Sequence, residues 1–284
     1  MRKPKIILSR KGFDSGTGGI ASPILDNRMY SLPIPEAESG IFYNQLNFSE
    51  NHSYLYLLRD LGIKFYSETH LDPDLNKEII SGRTNNWRPV FGQTGAALSH
   101  LNKFNIQQGD LFLFFGWFKE VEKINHRIRF KKSAKDLHVI YGYLEVDQMV
   151  DLEKGNPPSW ACKHPHVVFA DQYNPKGNTL FIAKKESSFF SGKPGGGLFS
   201  FSRELVLTNS LQENSWNRSL WQLPKSFFQK GRCKLSYHEN KTGEAIKGNR
   251  KNLCVQSVAR GQEFIINSNQ GILNWVQSFN PYII

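Results

Sequence analysis

A glycine-rich loop near the N-terminus combines charged side chains with accessible backbone. Arg10 and Lys11 follow a short apolar segment, and Asp14 stands shortly after them in the sequence RKGFDSG. Backbone N–H groups in such a loop can hold a phosphate, and a carboxylate beside them can act as a base, a nucleophile or a stabiliser of positive charge. An ordinary turn with a solvated aspartate is the alternative interpretation. The loop is therefore a candidate for chemistry at a phosphorylated sugar.

The same loop contains a match to the dinucleotide-binding fingerprint. Residues Gly16–Ala21 read GTGGIA, which fits the pattern G-x-G-x-x-A. Pro23 and the proline-rich sequence after it do not form the helix that this fingerprint requires, and no acidic residue closes a second strand about twenty residues later. We therefore expect no nucleotide cofactor.

Two histidine-containing segments alternate in a way that places side chains on one side of an extended chain. The two sets are His70, Asp72 and Asp74, and Cys162, His164 and His166. Either set can begin a metal site, but neither has the paired spacing of a zinc module, and a further ligand would have to come from Cys233 or His238. A turn and a satisfied polar cluster are the favoured interpretations, so the sequence predicts no metal centre.

Two nearly apolar segments, Leu111–Phe118 and Leu137–Val146, predict central strands that are buried on both faces. Each contains a glycine followed by an aromatic residue: Gly116 before Trp117, and Gly142 before Tyr143. A glycine inside a strand indicates close approach of another group, which can be a flat ring or a bulky core neighbour. The pattern is similar to that of PUA-like β-barrels, which read modified or flipped bases.

A basic segment, Lys119–Asp136, separates these strands. Its charges alternate with Ile124, Ile128 and Phe130, which lets one face pack while the other meets phosphates. Solvated charge is the alternative. The segment predicts a projecting arm whose candidate DNA-binding residues are Arg127, Arg129, Lys131 and Lys132, together with Arg10 and Lys11 of the first loop.

The whole chain is strongly basic. It has 36 Lys and Arg residues against 25 Asp and Glu residues, a formal net charge of +11. Such a charge attracts polyanions, and DNA, most simply double-stranded, is the expected partner, with RNA and acidic membranes as alternatives. Three widely spaced cysteines favour free thiols and a cytoplasmic location, and no apolar run is long enough to span a membrane.

The remaining sequence predicts an α+β fold over a single domain, residues 1–284. A central mixed or antiparallel sheet is expected, with a PUA-like β-barrel as an alternative form, flanked by helices and long loops. The predicted helices start at Ser49 and near Thr94, and end at Gly62 and Phe104. Further strands are predicted at residues 4–8, 179–184 and 197–208.

Several short motifs together resemble the nucleotide modification associated domain 3 family of bacteria and phages. They are Ile6–Pro23, His70–Leu75, Phe91–Leu101, Gly109–Phe118, His138–Val146, His164-Pro165-His166 and Gly261–Phe264. The resemblance covers nearly the whole chain and implies a link to hypermodified DNA bases, as a maker, reader or remover of them. We also hypothesise kinship with a DNA glycosylase that excises glucosylated hydroxymethylcytosine from phage DNA in antiviral defence.

These observations favour a DNA N-glycosylase that flips a bulky modified pyrimidine out of the helix. Asp14, or in second place Asp72, is expected to stabilise the charge that develops on the sugar, and His70 or His100 to protonate the departing base. The expected base-pocket residues are Gln93, Trp117, Tyr141 and Tyr143. A non-catalytic reader of modified bases and a transferase that installs them are the competing hypotheses.

Overall fold

A computed structural model describes residues 2–49, 52–63, 66–212, 216–238, 243–246, 248–258 and 261–282. In those residues, no helix is long and apolar enough to cross a membrane. The strands within them are β1 (Lys5–Arg10), β2 (Ser22–Leu25), β3 (Arg28–Met29), β4 (Ile34–Pro35), β5 (Asn47–Ser49), β6 (His52–Ser53), β7 (Thr69–His70), β8 (Val90–Thr94), β9 (Leu111–Ile124), β10 (Arg127–Phe130), β11 (Leu137–Asp151), β12 (Asn178–Ala183), β13 (Gly196–Phe199), β14 (Leu220–Pro224), β15 (Phe228–Gln229), β16 (Arg232–Cys233), β17 (Asn252–Gln256), β18 (Glu263–Asn267) and β19 (Pro281–Tyr282). The α-helices are α1 (Tyr54–Asp60), α2 (Gly95–Lys103), α3 (Pro165–Val168), α4 (Ala170–Tyr173) and α5 (Gln270–Gln277).

A large mixed sheet forms the centre of the molecule, as the sequence predicts. Its main path runs β18-β1-β9-β11-β12-β8, with β1 parallel to β9 and the other neighbours on the path antiparallel. The apolar segments of β9 and β11 lie at the middle of this sheet. Their side chains are buried on both faces of the sheet, so other parts of the protein must cover both faces there. Within the described residues the sheet does not close into a barrel. That residues 1–284 form one domain stays a prediction.

Several element boundaries differ from those predicted, including the start of α1 and the end of β13. Helix α1 begins after Ser53 rather than Ser49, because Ser49 belongs to β5 and pairs with His52 of β6. Strand β13 ends at Phe199, and a 3-10 turn at Arg203–Leu205 replaces the rest of the predicted strand. Local patterns place an element more reliably than they place its ends, because pairing partners that are distant in sequence decide where a strand stops.

The predicted basic arm is a β-hairpin. Strand β10 pairs with the second half of β9, and the turn between them has positive φ angles at Asn125 (51°) and His126 (63°), as a tight two-residue hairpin turn requires. Ile128 is buried and its backbone N–H donates to the Asp60 carboxylate, so the hairpin is held against α1. Apolar contact on one face and charge on the other agree with the alternation in the sequence.

Protein groups occupy the space beside the two strand glycines. A Cβ atom at Gly116 would lie 2.8 Å from the carbonyl oxygen of Lys11, and one at Gly142 would lie 2.5 Å from Cδ1 of Leu75. The close approach that the glycines indicate is therefore made by the chain leaving β1 and by a core side chain, and not by an open space shaped for a flat ring.

Candidate active site in a cleft beside the central sheet

A cleft of about 820 Å³ lies where the ends of β1 and β8 meet the segment around His70. Six residues that the sequence singled out line it: Arg10, Lys11, Asp14, His70, Asp72 and Gln93. They come from three distant parts of the chain and are brought together by the sheet. A second cleft, of about 730 Å³ and lined by Trp87 and Trp160 among others, does not contain this group of histidines and carboxylates.

A buried glutamate ties three strands together at one wall of the cleft. Glu263, at the start of β18, is fully buried, and its Oε1 accepts hydrogen bonds from Ser9 Oγ (3.1 Å) and Gln93 Nε2 (2.7 Å). The Lys11 ammonium lies 3.2 Å from the same oxygen and 4.5 Å from the centre of the Phe91 ring. A buried carboxylate needs such partners, and these partners in turn fix Lys11 and Gln93.

Asp72 lies at the floor of the cleft among three histidines. Its Oδ1 accepts a hydrogen bond from the backbone N–H of Gly92 (2.8 Å) and lies 3.3 Å from His164 Nε2. Its Oδ2 lies 3.9 Å from His70 Nε2 and 4.0 Å from His166 Nε2. The side chain of Asp72 is only 4% exposed, so this carboxylate is almost withdrawn from bulk water.

Neighbouring acceptors orient two of these histidines. His166 Nδ1 lies 2.7 Å from Asn178 Oδ1, and Asn178 Nδ2 donates to the carbonyl oxygen of His166, which fixes the orientation of the amide. His70 Nδ1 contacts the carboxylate of Glu36, which also accepts a hydrogen bond from Tyr173. Each Nδ1 therefore carries the hydrogen, and each Nε2 presents a lone pair towards Asp72 in the neutral ring.

His164 has the opposite tautomer. Its Nδ1 accepts a hydrogen bond from the backbone N–H of His166 (3.3 Å), so its hydrogen is on Nε2, the atom that faces Asp72 Oδ1. This contact does not meet hydrogen-bond geometry, which leaves an attraction between the N–H dipole and the carboxylate. His164 therefore supports the negative charge of Asp72 from the side away from Oδ2.

Electrostatics set the protonation states of Asp72 and His166 near neutral pH. Burial by itself raises the pKa of Asp72, but the contact with His164 and the other two imidazoles bring that pKa below its usual value. Burial lowers the pKa of His166 to about 4, against the opposing effect of Asp72. Near pH 7 the carboxylate is ionised and the His166 ring is neutral.

Gly92 makes room for the cluster on β8. A Cβ atom at this position would lie 2.3 Å from ring carbons of His166, and the Gly92 N–H is the donor to Asp72. Only a residue without a side chain lets the imidazole lie against the strand at this depth. Gly92 of β8 therefore positions both the Asp72 carboxylate and the His166 ring.

Asp14 lies at the rim of the cleft and is exposed. Its Oδ1 accepts hydrogen bonds from the backbone N–H groups of Gly16 (2.8 Å) and Thr17 (2.7 Å), the arrangement of an Asx turn. Arg218 donates to Ser15 in the same loop and stacks 4.0 Å from the centre of the Trp117 ring. The loop thus holds Asp14 in a fixed position beside additional positive charge.

The expected aromatic pocket is not part of this cleft. Tyr143 is 1% exposed and packs against Phe190 and Phe199 in the core, and Tyr141 is also buried. Trp117 lies half-buried and donates from Nε1 to Asp136 (2.7 Å). The aromatic residues of β9 and β11 were predicted to lie near a ligand. Side chains alternate between the two faces of these strands, and most of the aromatic rings point into the core.

His100 lies on α2 and does not line the cleft. Its Nε2 is 3.0 Å from Ser236 Oγ, and its ring stacks on Tyr237, which does line the cleft, with 4.3 Å between ring centres. His100 is thus placed to support a wall residue.

The predicted cations of the hairpin are also outside the cleft lining. Arg127, Arg129 and Lys132 are exposed, whereas Lys131 forms an ion pair with Glu120 (2.7 Å).

Several residues that line the cleft or support its lining were not selected as site residues from the sequence. His166 was noted for its spacing from His164 but was assigned to a polar cluster, and Glu263 lies within the resembling motif Gly261–Phe264. Glu36, Tyr173 and Asn178 carry no local signal, because their roles depend on contacts across at least 12 residues of sequence. The histidine pair His164 and His166 was the one available signal for this part of the site.

The family profile described as nucleotide modification associated domain 3 matches residues 5–267. This range contains the loop after β1, the Asp72 cluster and Glu263. No curated protein and no solved structure shows a significant match. Because the profile covers most of the 284 residues, the chain belongs to the nucleotide modification associated domain 3 family, which links it to nucleotide modification.

Proposed function

We propose that the protein is a DNA N-glycosylase that excises a bulky modified pyrimidine, such as glucosylated hydroxymethylcytosine, and leaves an abasic site. One observation carries this proposal: a single cleft of about 820 Å³ is lined by the cations Arg10 and Lys11 together with carboxylates and histidines. Ligand pockets for small molecules are roughly 300–1,000 Å³, so the cleft has room for an extruded nucleotide with a bulky substituent.

The charges suit a nucleotide that enters from a DNA strand. Arg10 and Lys11 line the cleft, and Arg218 lies beside the loop that carries Asp14. A flipped nucleotide brings its flanking phosphates to the rim, where these cations offset the negative charge, while its base points inwards. Gln93 is held by Glu263 and lines the cleft, and its amide suits the proposed reading of a base edge.

The carboxylates suit cleavage of the bond between base and sugar. When this bond breaks, positive charge develops on the deoxyribose, and Asp14 at the rim is in place to stabilise it. Water held by Asp72 adds to the sugar carbon and gives a proton to the lone pair of His70 Nε2, and the same imidazole passes a proton to the departing base. The products are free base and an abasic sugar, and the strand remains intact.

The test is a panel of phage DNA substrates that carry plain, hydroxymethylated or glucosylated cytosine. Free base is quantified chromatographically, and abasic sites are quantified with an aldehyde-reactive probe. Release from modified DNA alone supports the proposal. Tight binding with intact DNA would replace it with a non-catalytic reader.

Asp14→Asn tests the assigned role of the rim carboxylate. Asparagine retains an oxygen that can accept the hydrogen bonds from Gly16 and Thr17, so the turn is kept while the charge is lost. We expect base release to fall at least about 100-fold with little change in DNA affinity. Asp171→Asn, an exposed change on α4, is the matched control. Full activity in Asp14→Asn would remove Asp14 from the mechanism.

A further inference from the structure

Three potential ligand atoms converge at the floor of the cleft. One ligand atom from each of His70, His166 and Asp72 lies within 4.8 Å of the other two, and the nitrogens that face Asp72 Oδ2 are the two Nε2 atoms. The two nitrogens are 3.9 Å and 4.0 Å from the carboxylate oxygen, which is too long for direct hydrogen bonds. The atoms face each other across a gap and do not bond to one another.

The gap lies between groups that all accept hydrogen bonds. Because Glu36 and Asn178 each engage an Nδ1 atom, both imidazoles present a lone pair to the gap, and Asp72 adds a carboxylate oxygen. Mutually facing lone pairs in a buried site repel each other unless a hydrogen-bond donor or a cation lies between them. Histidines that were themselves protonated on Nε2 would approach Asp72 to about 2.7–3.2 Å.

We propose that His70, Asp72 and His166 bind one divalent first-row transition metal ion at the floor of the cleft. This inference goes beyond the glycosylase proposal and does not depend on it. Two imidazole nitrogens and one carboxylate oxygen suit Zn²⁺, Fe²⁺ or Mn²⁺ rather than Mg²⁺ or Ca²⁺, which prefer oxygen ligands throughout. Bonds of about 2.0–2.2 Å bring such ligands to roughly 3.0–3.5 Å from one another, so the cluster tightens by roughly 1 Å.

Each of the three ligand residues is held by a further hydrogen-bond partner, as metal ligands in proteins usually are. A carboxylate orients His70, and an amide whose own donor is engaged orients His166. The second oxygen of Asp72 is occupied by the Gly92 N–H, which leaves Oδ2 for the ion. Such outer contacts fix the tautomer and the direction of each ligand.

The open side of the cluster faces the cleft, because all three ligand residues line it. Three protein ligands leave coordination positions for water and for substrate. Metal-bound water loses a proton near neutral pH, so a bound ion would take over the activation of water that the proposed function assigns to His70 and Asp72.

The test is metal binding by the full chain in the absence of DNA. Protein treated with a chelator is titrated with Co²⁺, whose visible spectrum reports coordination, and with Zn²⁺, Mn²⁺ and anaerobic Fe²⁺ by calorimetry. We expect one ion per chain and a higher melting temperature on binding. Asp72→Asn and His166→Gln are expected to weaken binding at least 100-fold. His126→Asn, in the exposed hairpin turn, is the matched control and should bind as the wild type does.

Glu36→Gln keeps the test decisive if a ligand variant fails to fold. Glu36 contacts His70 but is not itself one of the three ligands, and its replacement should weaken binding about 10–100-fold. Failure of all four ions to bind stoichiometrically would overturn the inference, as would equal affinity in wild type, Asp72→Asn and Glu36→Gln. Base release that persists in metal-free protein would leave the glycosylase proposal intact while separating it from the ion.

Discussion

Gly92 connects backbone geometry to chemistry at the scale of a single residue. Its N–H holds one oxygen of Asp72, and its missing side chain leaves space for the His166 ring. Asp72 and the His166 ring must both approach β8 at Gly92, so the positions of both side chains depend on this residue. Adding one methyl group at Gly92 should therefore affect both Asp72 and His166.

We predict that Gly92→Ala displaces the His166 ring. The added Cβ would overlap ring carbons at 2.3 Å, and the resulting strain should lower the free energy of unfolding by about 1–3 kcal/mol and reduce base release more than 10-fold. Chemical denaturation and the abasic-site assay measure the two effects. Gly197→Ala, in β13, is the control because its Cβ would make only ordinary contacts of 3.5 Å and beyond. Equal behaviour of the two variants would contradict this account of Gly92.

The sequence predicted individual site residues better than their partners. The predicted alternation of His70, Asp72 and Asp74 is wrong for Asp74, which forms an ion pair with Arg83 and does not line the cleft. His70 and Asp72 do lie close together, but through a turn in which the Asp72 N–H donates to the His70 carbonyl oxygen (2.9 Å). Their association with His166 depends on α3 packing beside β8 and β12, nearly 100 residues away, and no local pattern encodes that packing. The prediction that no metal binds stays open to the titration described above.

At the scale of elements, Glu263 connects β18 to β1 and β8. Its carboxylate takes hydrogen bonds from Ser9 and Gln93 and an ion pair from Lys11, so three strand ends depend on one buried group. Lys11 and Glu263 are 11% and 0% exposed at their side chains, which makes this a buried pair. Removal of one member leaves the other without its counter-charge.

We predict that Lys11→Met lowers the free energy of unfolding by about 3–5 kcal/mol. The double variant Lys11→Met, Glu263→Gln should recover part of this loss, because the glutamine is neutral and can keep the contacts with Ser9 and Gln93. Urea denaturation of the wild type, both single variants and the double variant forms a double-mutant cycle. Additive effects in that cycle would show that the pair is not energetically coupled.

Elements dominated by one local signal were predicted well, whereas pairings between distant strands were not predicted. Apolar runs identified β9 and β11, and apolar residues spaced along Thr94–Phe104 identified α2, because burial alone decides those cases. The parallel pairing of β1 with β9 has no sequence signature, since its partners are about 100 residues apart. The continuation of β9 into the hairpin was hidden by charge, which resembles a solvated loop in the sequence.

A buried histidine makes the stability of the whole molecule depend on pH. His138 accepts a hydrogen bond from Trp221 Nε1 (2.9 Å), and burial, followed by the charges of Arg10 and Arg218, lowers its pKa to about 3. An unfolded chain binds this proton near pH 6.5, so the neutral ring contributes stability that is complete above that pH. The contribution is lost as the pH falls from about 6.5 towards 3.

We predict a free energy of unfolding that declines below pH 6.5, with His138 contributing a slope of up to about 1.4 kcal/mol per pH unit. His138→Gln removes the titrating group, while a glutamine oxygen can still accept from Trp221. Its stability should therefore vary less with pH than that of the wild type, although it is lower at pH 7.5. Denaturation at intervals from pH 7.5 to 4.5 measures both curves. Parallel curves would assign the pH dependence to other groups.

The net charge of +11 acts over the whole surface, but the structure divides it into regions with different roles. Cations in the cleft contact fixed protein partners, whereas Arg127, Arg129 and Lys132 of the hairpin are exposed to solvent. Exposed cations that meet phosphates contribute to affinity by releasing counterions, which makes binding sensitive to salt. The hairpin should therefore govern binding strength without affecting cleavage of a bound substrate.

We predict that DNA affinity falls about 10³–10⁵-fold between roughly 50 and 200 mM salt if six to ten phosphates are contacted. Replacing the three hairpin cations with glutamine should reduce the slope of log affinity against log salt by about 0.9 for each phosphate that the hairpin no longer neutralises. Single-turnover base release at saturating protein should stay unchanged, because none of the three lines the cleft. The matched control replaces Lys103, Lys176 and Lys230, which are exposed elsewhere on the surface. An equal reduction in slope for both triple variants would mean that DNA responds to total charge, and the hairpin would lose its assigned role.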